Sequence, residues 1–245
     1  MPEGGLGQHY NVDADEYFQA HDKARSLEGA TVLIAQAEEL LGRKGKLLDI
    51  GTGRGEKLLA AIEADWVCEG VEPSATFADY AENLTGAKIW RQPFEESDIP
   101  DSEFDVVLLP AVLEHLYDPD EVIANVSRIL KPGGLLFLDV PNEAGLYFKV
   151  GNFYQKLRGR KWCVNLAPTF SPFHLFGFTP KSLRKLLDKY GLEPVVWRVY
   201  PGESMVPGRG GLLGVAESAA ARAATSVSKW RELGTYIETW ATKKP

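Results

Sequence analysis

Between residue 46 and about residue 200 the chain alternates between two hydrophobic patterns. Short runs such as Phe104–Leu109 are continuously apolar apart from Asp105, which suits a strand covered on both faces. Longer stretches bring apolar residues back every three or four positions, which suits amphipathic helices. Strands are predicted at Lys46–Ile50, Trp66–Val71, Lys88–Arg91, Phe104–Leu109, Leu135–Val140, Val195–Tyr200 and Tyr236–Ala241. A first helix over about 23–41 carries Leu33, Ala37, Leu40 and Leu41 and ends at Gly42. A second runs through Leu58, Leu59 and Ile62, and a third starts at Pro73-Ser74 and carries Phe77, Tyr80, Ala81 and Leu84. Asp118-Pro119-Asp120-Glu121 predicts a capping box with proline at the first helical position, ahead of the stripe Val122, Ile123, Val126, Ile129 and Leu130. Thr179-Pro180 opens another helix in the same style. Strand–helix alternation of this kind implies right-handed βαβ units and a parallel sheet with helices on both faces.

Two segments break the rhythm. Residues 141–178 are rich in aromatic and basic side chains and too long for a plain connection. Residues 201–214 hold five glycines and two prolines and read as mobile, with an alanine-rich helix expected over about 215–232. The 245 residues suffice for one α/β domain with insertions, and the chain is read as a single domain over 1–245. A net charge of −7 argues against a broad nucleic-acid-binding face. Cys68 and Cys163 are too few for a disulfide framework or a cysteine zinc site. No apolar run approaches a membrane span and no secretory signal is apparent, so a cytoplasmic location is expected.

The first strand runs into Asp49-Ile50-Gly51-Thr52-Gly53-Arg54-Gly55 just before a helix. Glycines there let a ligand approach the backbone, and the helix start offers free N–H groups. The next strand ends in Glu72, about 20 residues on, where a carboxylate can accept from two ribose hydroxyls. The alternative for the glycines alone is a tight turn. Position 56, where a dinucleotide fingerprint wants a third glycine, is Glu56, and with Asp49 it disfavours a pyrophosphate.

Five segments in order resemble the class I S-adenosylmethionine-dependent methyltransferases. They are Leu48–Gly55, Glu72, Ile99–Val107, the Leu113-Glu114-His115 turn before Asp118-Pro119, and Leu130–Gly134. The resemblance covers about 45–200. It implies a Rossmann-like doubly wound, mostly parallel seven-stranded sheet with an antiparallel last strand, and S-adenosylmethionine as cofactor. Residues 46–200 would then form the cofactor-binding core, 1–45 a lid and first helix, and 141–178 with 201–234 an acceptor cap. Gly51 and Gly53 would lie under the methionine and ribose parts, with Asp49 and Thr52 beside them. Glu72 would bind the ribose hydroxyls, and Pro73 and Phe94 would pack on the adenine. The adenine-reading position is open between Gln92 and Glu95. Pro110 and Ala111 would face the methionine end.

Transfer from a sulfonium needs an in-line geometry and at most a base. His115 and His174 are the candidate catalytic residues, each with a structural role as the alternative. Glu114 could instead hold the cofactor's ammonium end. Tyr10 and Tyr17 are lid candidates, while His9 and His21 read as surface or lid packing. No acidic cluster follows strand five beyond Asp139 and Glu143, so no metal is expected. Tyr147–Trp162 interleaves aromatics with Lys149, Lys156, Arg158, Arg160 and Lys161, which suits either a solvated cap or contact with a membrane or lipid-linked acceptor. The reading is a methyltransferase acting on O or N of a small molecule such as a sugar, a lipid-linked intermediate or a quinone-like ring. A nicotinamide-dependent oxidoreductase and a non-catalytic cofactor-binding partner are the alternatives. The oligomeric state is not legible.

Overall fold

The computed structural model describes residues 23–161, 163, 165–166, 174–201 and 232–244. The proposed lid aromatics Tyr10 and Tyr17, with His9 and His21, lie outside them, as do nearly all of 201–214 and of the expected alanine-rich helix. The elements in order are α1 (Lys23–Leu41), β1 (Lys46–Ile50), α2 (Glu56–Glu63), β2 (Val67–Val71), α3 (Ala75–Thr85), β3 (Lys88–Trp90), β4 (Phe104–Pro110), α4 (Pro119–Ile129), β5 (Leu130–Pro141), α5 (Leu146–Leu157), α6 (Pro180–Lys189), β6 (Leu192–Tyr200) and β7 (Tyr236–Lys243). Short 3-10 turns stand at Phe94–Glu96 and Leu113–His115.

The seven strands form one sheet in the order β3-β2-β1-β4-β5-β7-β6. The β3-β2-β1-β4-β5 pairs are parallel, and β7 runs antiparallel between β5 and β6. From β1 the chain builds outward to β3, then returns to place β4 on the other side of β1. That reversal opens a crevice at the carboxyl ends of β1 and β4, where open α/β sheets bind ligands.

Alternating side chains divide the core into two layers. Leu48, Ile50, Val107, Leu109, Leu136 and Leu138 face Val122, Ile123 and Val126 of α4 and Leu183 and Leu187 of α6. Their neighbours Leu47, Val106, Leu108, Leu135 and Phe137 face Ala30, Ile34 and Ala37 of α1, Leu58 and Ala61 of α2, and Ala78 and Ala81 of α3. Cover on both faces explains why β4 reads as an almost unbroken apolar run.

Asp118 caps α4 by accepting from the N–H groups of Asp120 and Glu121. The full capping box is found instead at α6, where the Thr179 and Ser182 side chains each accept from the other's backbone N–H. β5 begins at Leu130 rather than Leu135, because Leu130 pairs with Phe104 and a register shift between Phe104 and Val106 takes up the residues between. The irregular segment 141–178 contains an element that its composition did not delimit, the twelve-residue helix α5.

Candidate active site

The loop after β1 is tied to β2 by its backbone. The N–H groups of Gly51 and Thr52 donate to Val71 O at 2.9 and 3.1 Å. Gly51 has φ of 74°, and a Cβ there would come within 2.6 Å of Val112 Cγ2. Glycine is therefore required on both conformational and steric grounds. The same contact sets the loop directly against the segment that leads into His115. Gly53, at φ 55°, has nothing within 4 Å of a built Cβ. Its missing side chain leaves open the cleft that it lines.

Glu72 is 6 % exposed, and its two oxygens accept from Gly53 N–H and Ser74 N–H at 2.9 Å each. Burial raises its pKa, against the opposing pull of these bonds and of Lys57. A carboxylate has about four acceptor positions, so each oxygen keeps one for a hydroxyl donor. Asp49 is fully buried, and neither carboxylate oxygen is hydrogen-bonded. Burial pushes it up to about 6, although Lys57 Nζ stands 3.4 Å away and opposes the shift.

A cleft of about 330 Å³ lies over this loop, lined by Gly51, Thr52, Gly53 and Pro110. Ser26, Gly29 and Leu33 of α1 close it on one side and Arg54, Glu56 and Lys57 on another. Sequence reasoning placed the first helix near a lid without naming these side chains. Thr52 is turned inward, with its hydroxyl on Asp49 O at 2.8 Å. Glu56 is paired with Arg54 at 2.5 Å, so its charge alone does not exclude a phosphate.

The remaining cofactor candidates are spread around the same strand ends. Pro73 is half-buried directly after Glu72. Ala111, just past β4, holds a left-handed φ of 52° with its N–H on Asp139 O at 2.9 Å. Such a conformation costs a non-glycine residue of order 1–3 kcal/mol and is typical of sites. Gln92 folds its amide back onto Glu96 O at 2.9 Å. Glu95 has a buried, unpartnered Oε2 and a pKa raised by burial. Phe94 is 5 % exposed and packs in the core layer of α4.

Beyond β4 the 3-10 turn brings Glu114 and His115 to His174. Glu114 C=O accepts from the N–H groups of Leu175 and Phe176 at 2.8 and 3.1 Å, which stitches the two loops together. The imidazoles of His115 and His174 have centroids 4.9 Å apart. The Glu114 side chain is 2 % exposed, has an unpartnered Oε2, and is pushed up by burial to about 8. Its Oε1 lies 3.9 Å from His115 Nε2. Donor atoms of Glu114, His115 and His174 all lie within 4.8 Å of one another, a spacing that could hold a metal ion. The group is not apparent in the sequence because His174 stands 59 residues beyond His115.

A family model for the methyltransferase domain matches residues 20–196. The chain belongs to that family. It is a class I S-adenosylmethionine-dependent methyltransferase. Similar proteins include the ubiquinone biosynthesis O-methyltransferases of Coxiella burnetii, 29 % identical over 66 % of this chain and 73 % of that protein, and of Aliivibrio fischeri, 28 % identical over 77 % and 86 %. The fold is shared with an S-adenosylmethionine-dependent methyltransferase from Archaeoglobus fulgidus, with TM-score 0.63, 20 % identity, and 93 % and 99 % of the two chains covered. It is shared too with a possible histamine N-methyltransferase from Thermotoga maritima, with TM-score 0.58, 21 % identity and 97 % and 99 % covered. The nicotinamide and non-catalytic alternatives are set aside. The methyltransferase's own residues fit the cofactor: an open glycine cradle and spare acceptor positions on Glu72.

Proposed function

We propose that this methyltransferase acts on a hydroxyl oxygen of a small-molecule acceptor and that the His115–His174 pair removes the hydroxyl proton. The carrying observation is the meeting of two imidazoles and a buried carboxyl at the end of β4, one short turn from the glycine loop. The bound cofactor supplies an activated methyl group. Gly51, Gly53, Glu72 and Pro110 would hold it, with Asp49 beneath the loop. A hydroxyl becomes a competent nucleophile as its proton leaves, and a neutral imidazole is suited to accept that proton. Burial lowers the His174 pKa, which favours the neutral form. The O-methyltransferase names of the curated relatives support oxygen over nitrogen. Among the acceptor classes considered, they favour a hydroxylated, quinone-like ring.

The exposed side of α5 bears on where that acceptor resides. Tyr147, Val150, Phe153, Tyr154 and Leu157 are 52–70 % exposed and recur at helical spacing, while Phe148 anchors the helix inward. Lys149, Lys156 and Arg158 are exposed on the same element or at its end. An apolar stripe flanked by cations suits an anionic lipid surface and an acceptor carried in it. Among the described residues no helix is long and apolar enough to cross a membrane.

The test is a screen of hydroxylated rings and sugars with isotopically labelled cofactor, with and without anionic vesicles and with and without a chelator. An O-methylated product is expected. Only N-methylated products would overturn the reading, and activity abolished by the chelator would assign the Glu114–His115–His174 group to a cation instead of a free base.

A further inference from the structure

His174 Nδ1 lies 3.1 Å from the main-chain oxygen of Asn165 and 3.0 Å from its Oδ1. Which end of the Asn165 amide faces the ring is decided on its far side. There Asn165 Nδ2 stands 2.5 Å from Glu143 Oε1. A carboxylate has no proton to give, so the amide nitrogen must be the atom that faces it. The amide oxygen then faces the imidazole. A ring nitrogen met by two oxygen acceptors must carry the hydrogen, which leaves Nε2 of the neutral ring bare.

Glu143 is itself held in place. Its N–H donates to Phe178 O at 2.7 Å, and the Cys163 thiol lies 3.7 Å from Oε2. Its side chain lies over Gly177, where a Cβ would stand 2.3 Å from Glu143 Cγ. Asn165 is 7 % exposed.

We propose that Glu143 and Asn165 are positioning residues that hold His174 as the Nδ1–H tautomer, with Nε2 as the proton acceptor. This rests on the reading of His174 as a base, and it names the groups that make the ring one. The ionisable groups around the ring are Glu114 and His115 from the 3-10 turn, and Glu143 behind the Asn165 amide.

The chain has four histidines, so nitrogen-15 spectroscopy of the ligand-free protein can assign His174 by its disappearance in His174→Gln. The neutral ring should carry its proton on Nδ1, and a proton on Nε2 overturns the proposal. Asn165→Ala should mix the tautomers and lower kcat on the order of tenfold or more, with cofactor affinity unchanged. Glu143→Gln keeps an acceptor for Asn165 and loses the charge. It should lower kcat severalfold and move the acidic limb of the pH profile downward. In the Asn165→Ala background the Glu143→Gln effect on kcat should vanish, and effects that multiply overturn the relay. If the tautomer shifts in Asn165→Ala while kcat stays constant, the positioning stands and His174 is not the base.

Discussion

The two ends of the active-site crevice are built in different ways. The cofactor end is local: Gly51, Gly53 and Glu72 lie within 22 residues, just past the ends of adjacent parallel strands, and one hydrogen bond from Gly53 N–H to Glu72 joins the two loops. The proposed acceptor end is assembled from three separate segments, with Glu114 and His115 after β4, Glu143 after β5, and Asn165 with His174 beyond α5. A cofactor common to a family can be met by one short motif. An acceptor that differs between enzymes is met by side chains from insertions, which vary without disturbing the sheet.

The sharpest way to break that division is at the histidines. His115→Ala and His174→Ala should each lower kcat by about 10²–10⁴-fold, the range for a lost general base, while cofactor affinity from calorimetry stays within about twofold. A loss of cofactor binding in either variant would mean that the two ends are not separable. Glu72→Ala should do the reverse. Removing a carboxylate that bonds two ligand hydroxyls is worth about 2–3 kcal/mol, or roughly 30–150-fold in affinity. Its melting temperature should change little, because Gly53 and Ser74 are both only half-buried, which leaves their freed N–H groups within reach of water. Unchanged affinity would misplace the cofactor altogether.

The division also explains what could be read in advance. Strand positions were legible because β1, β4 and β5 are buried on both faces, and α4 and α6 because Asp118 and Thr179 cap them before a proline. The glycine loop was legible because its constraint is backbone conformation, which restricts residue type. Three things were not. The start of β5 depends on a register shift against Phe104, which is a pairing property. The nitrogen-bearing cluster depends on tertiary approach between residues 114 and 174. Phe94 looked available for adenine because aromatics suit that role, yet the turn at Phe94–Glu96 points it into the core layer of α4.

A smaller effect probes the buried carboxyl of the acceptor end. The folded chain keeps a proton on Glu114 up to about pH 8, whereas the ordinary value for a glutamate is 4.5. Between those values the folded state binds more protons than the unfolded one, so stability falls as pH rises. Asp49 and Asp139, both raised to about 6, add to the lower part of that window. Glu114→Gln preserves shape without the ionisation. Each kcal/mol is worth about 2–4 °C in a chain of this size, so the variant should melt several degrees above the wild type near pH 9. The gap should close toward pH 5. A gap independent of pH would show that Glu114 is ionised in the folded protein, paired with a cation at the His115–His174 cluster.

The smallest expected effect separates a ligand cradle from an ordinary turn. Gly53 and Gly86 both have positive φ, 55° and 67°, and neither has a protein atom within 4 Å of a built Cβ. Gly86 caps α3 and does not line the cleft, whereas Gly53 does. Alanine at either position should cost about 1–2 kcal/mol from the left-handed conformation alone, and the two melting temperatures should fall together. Cofactor affinity should fall severalfold in Gly53→Ala and stay unchanged in Gly86→Ala, because only the first methyl group projects where the ligand must approach the backbone. Equal affinities in the two variants would reduce the glycine at 53 to a turn residue and leave Glu72 as the main anchor of the cofactor end.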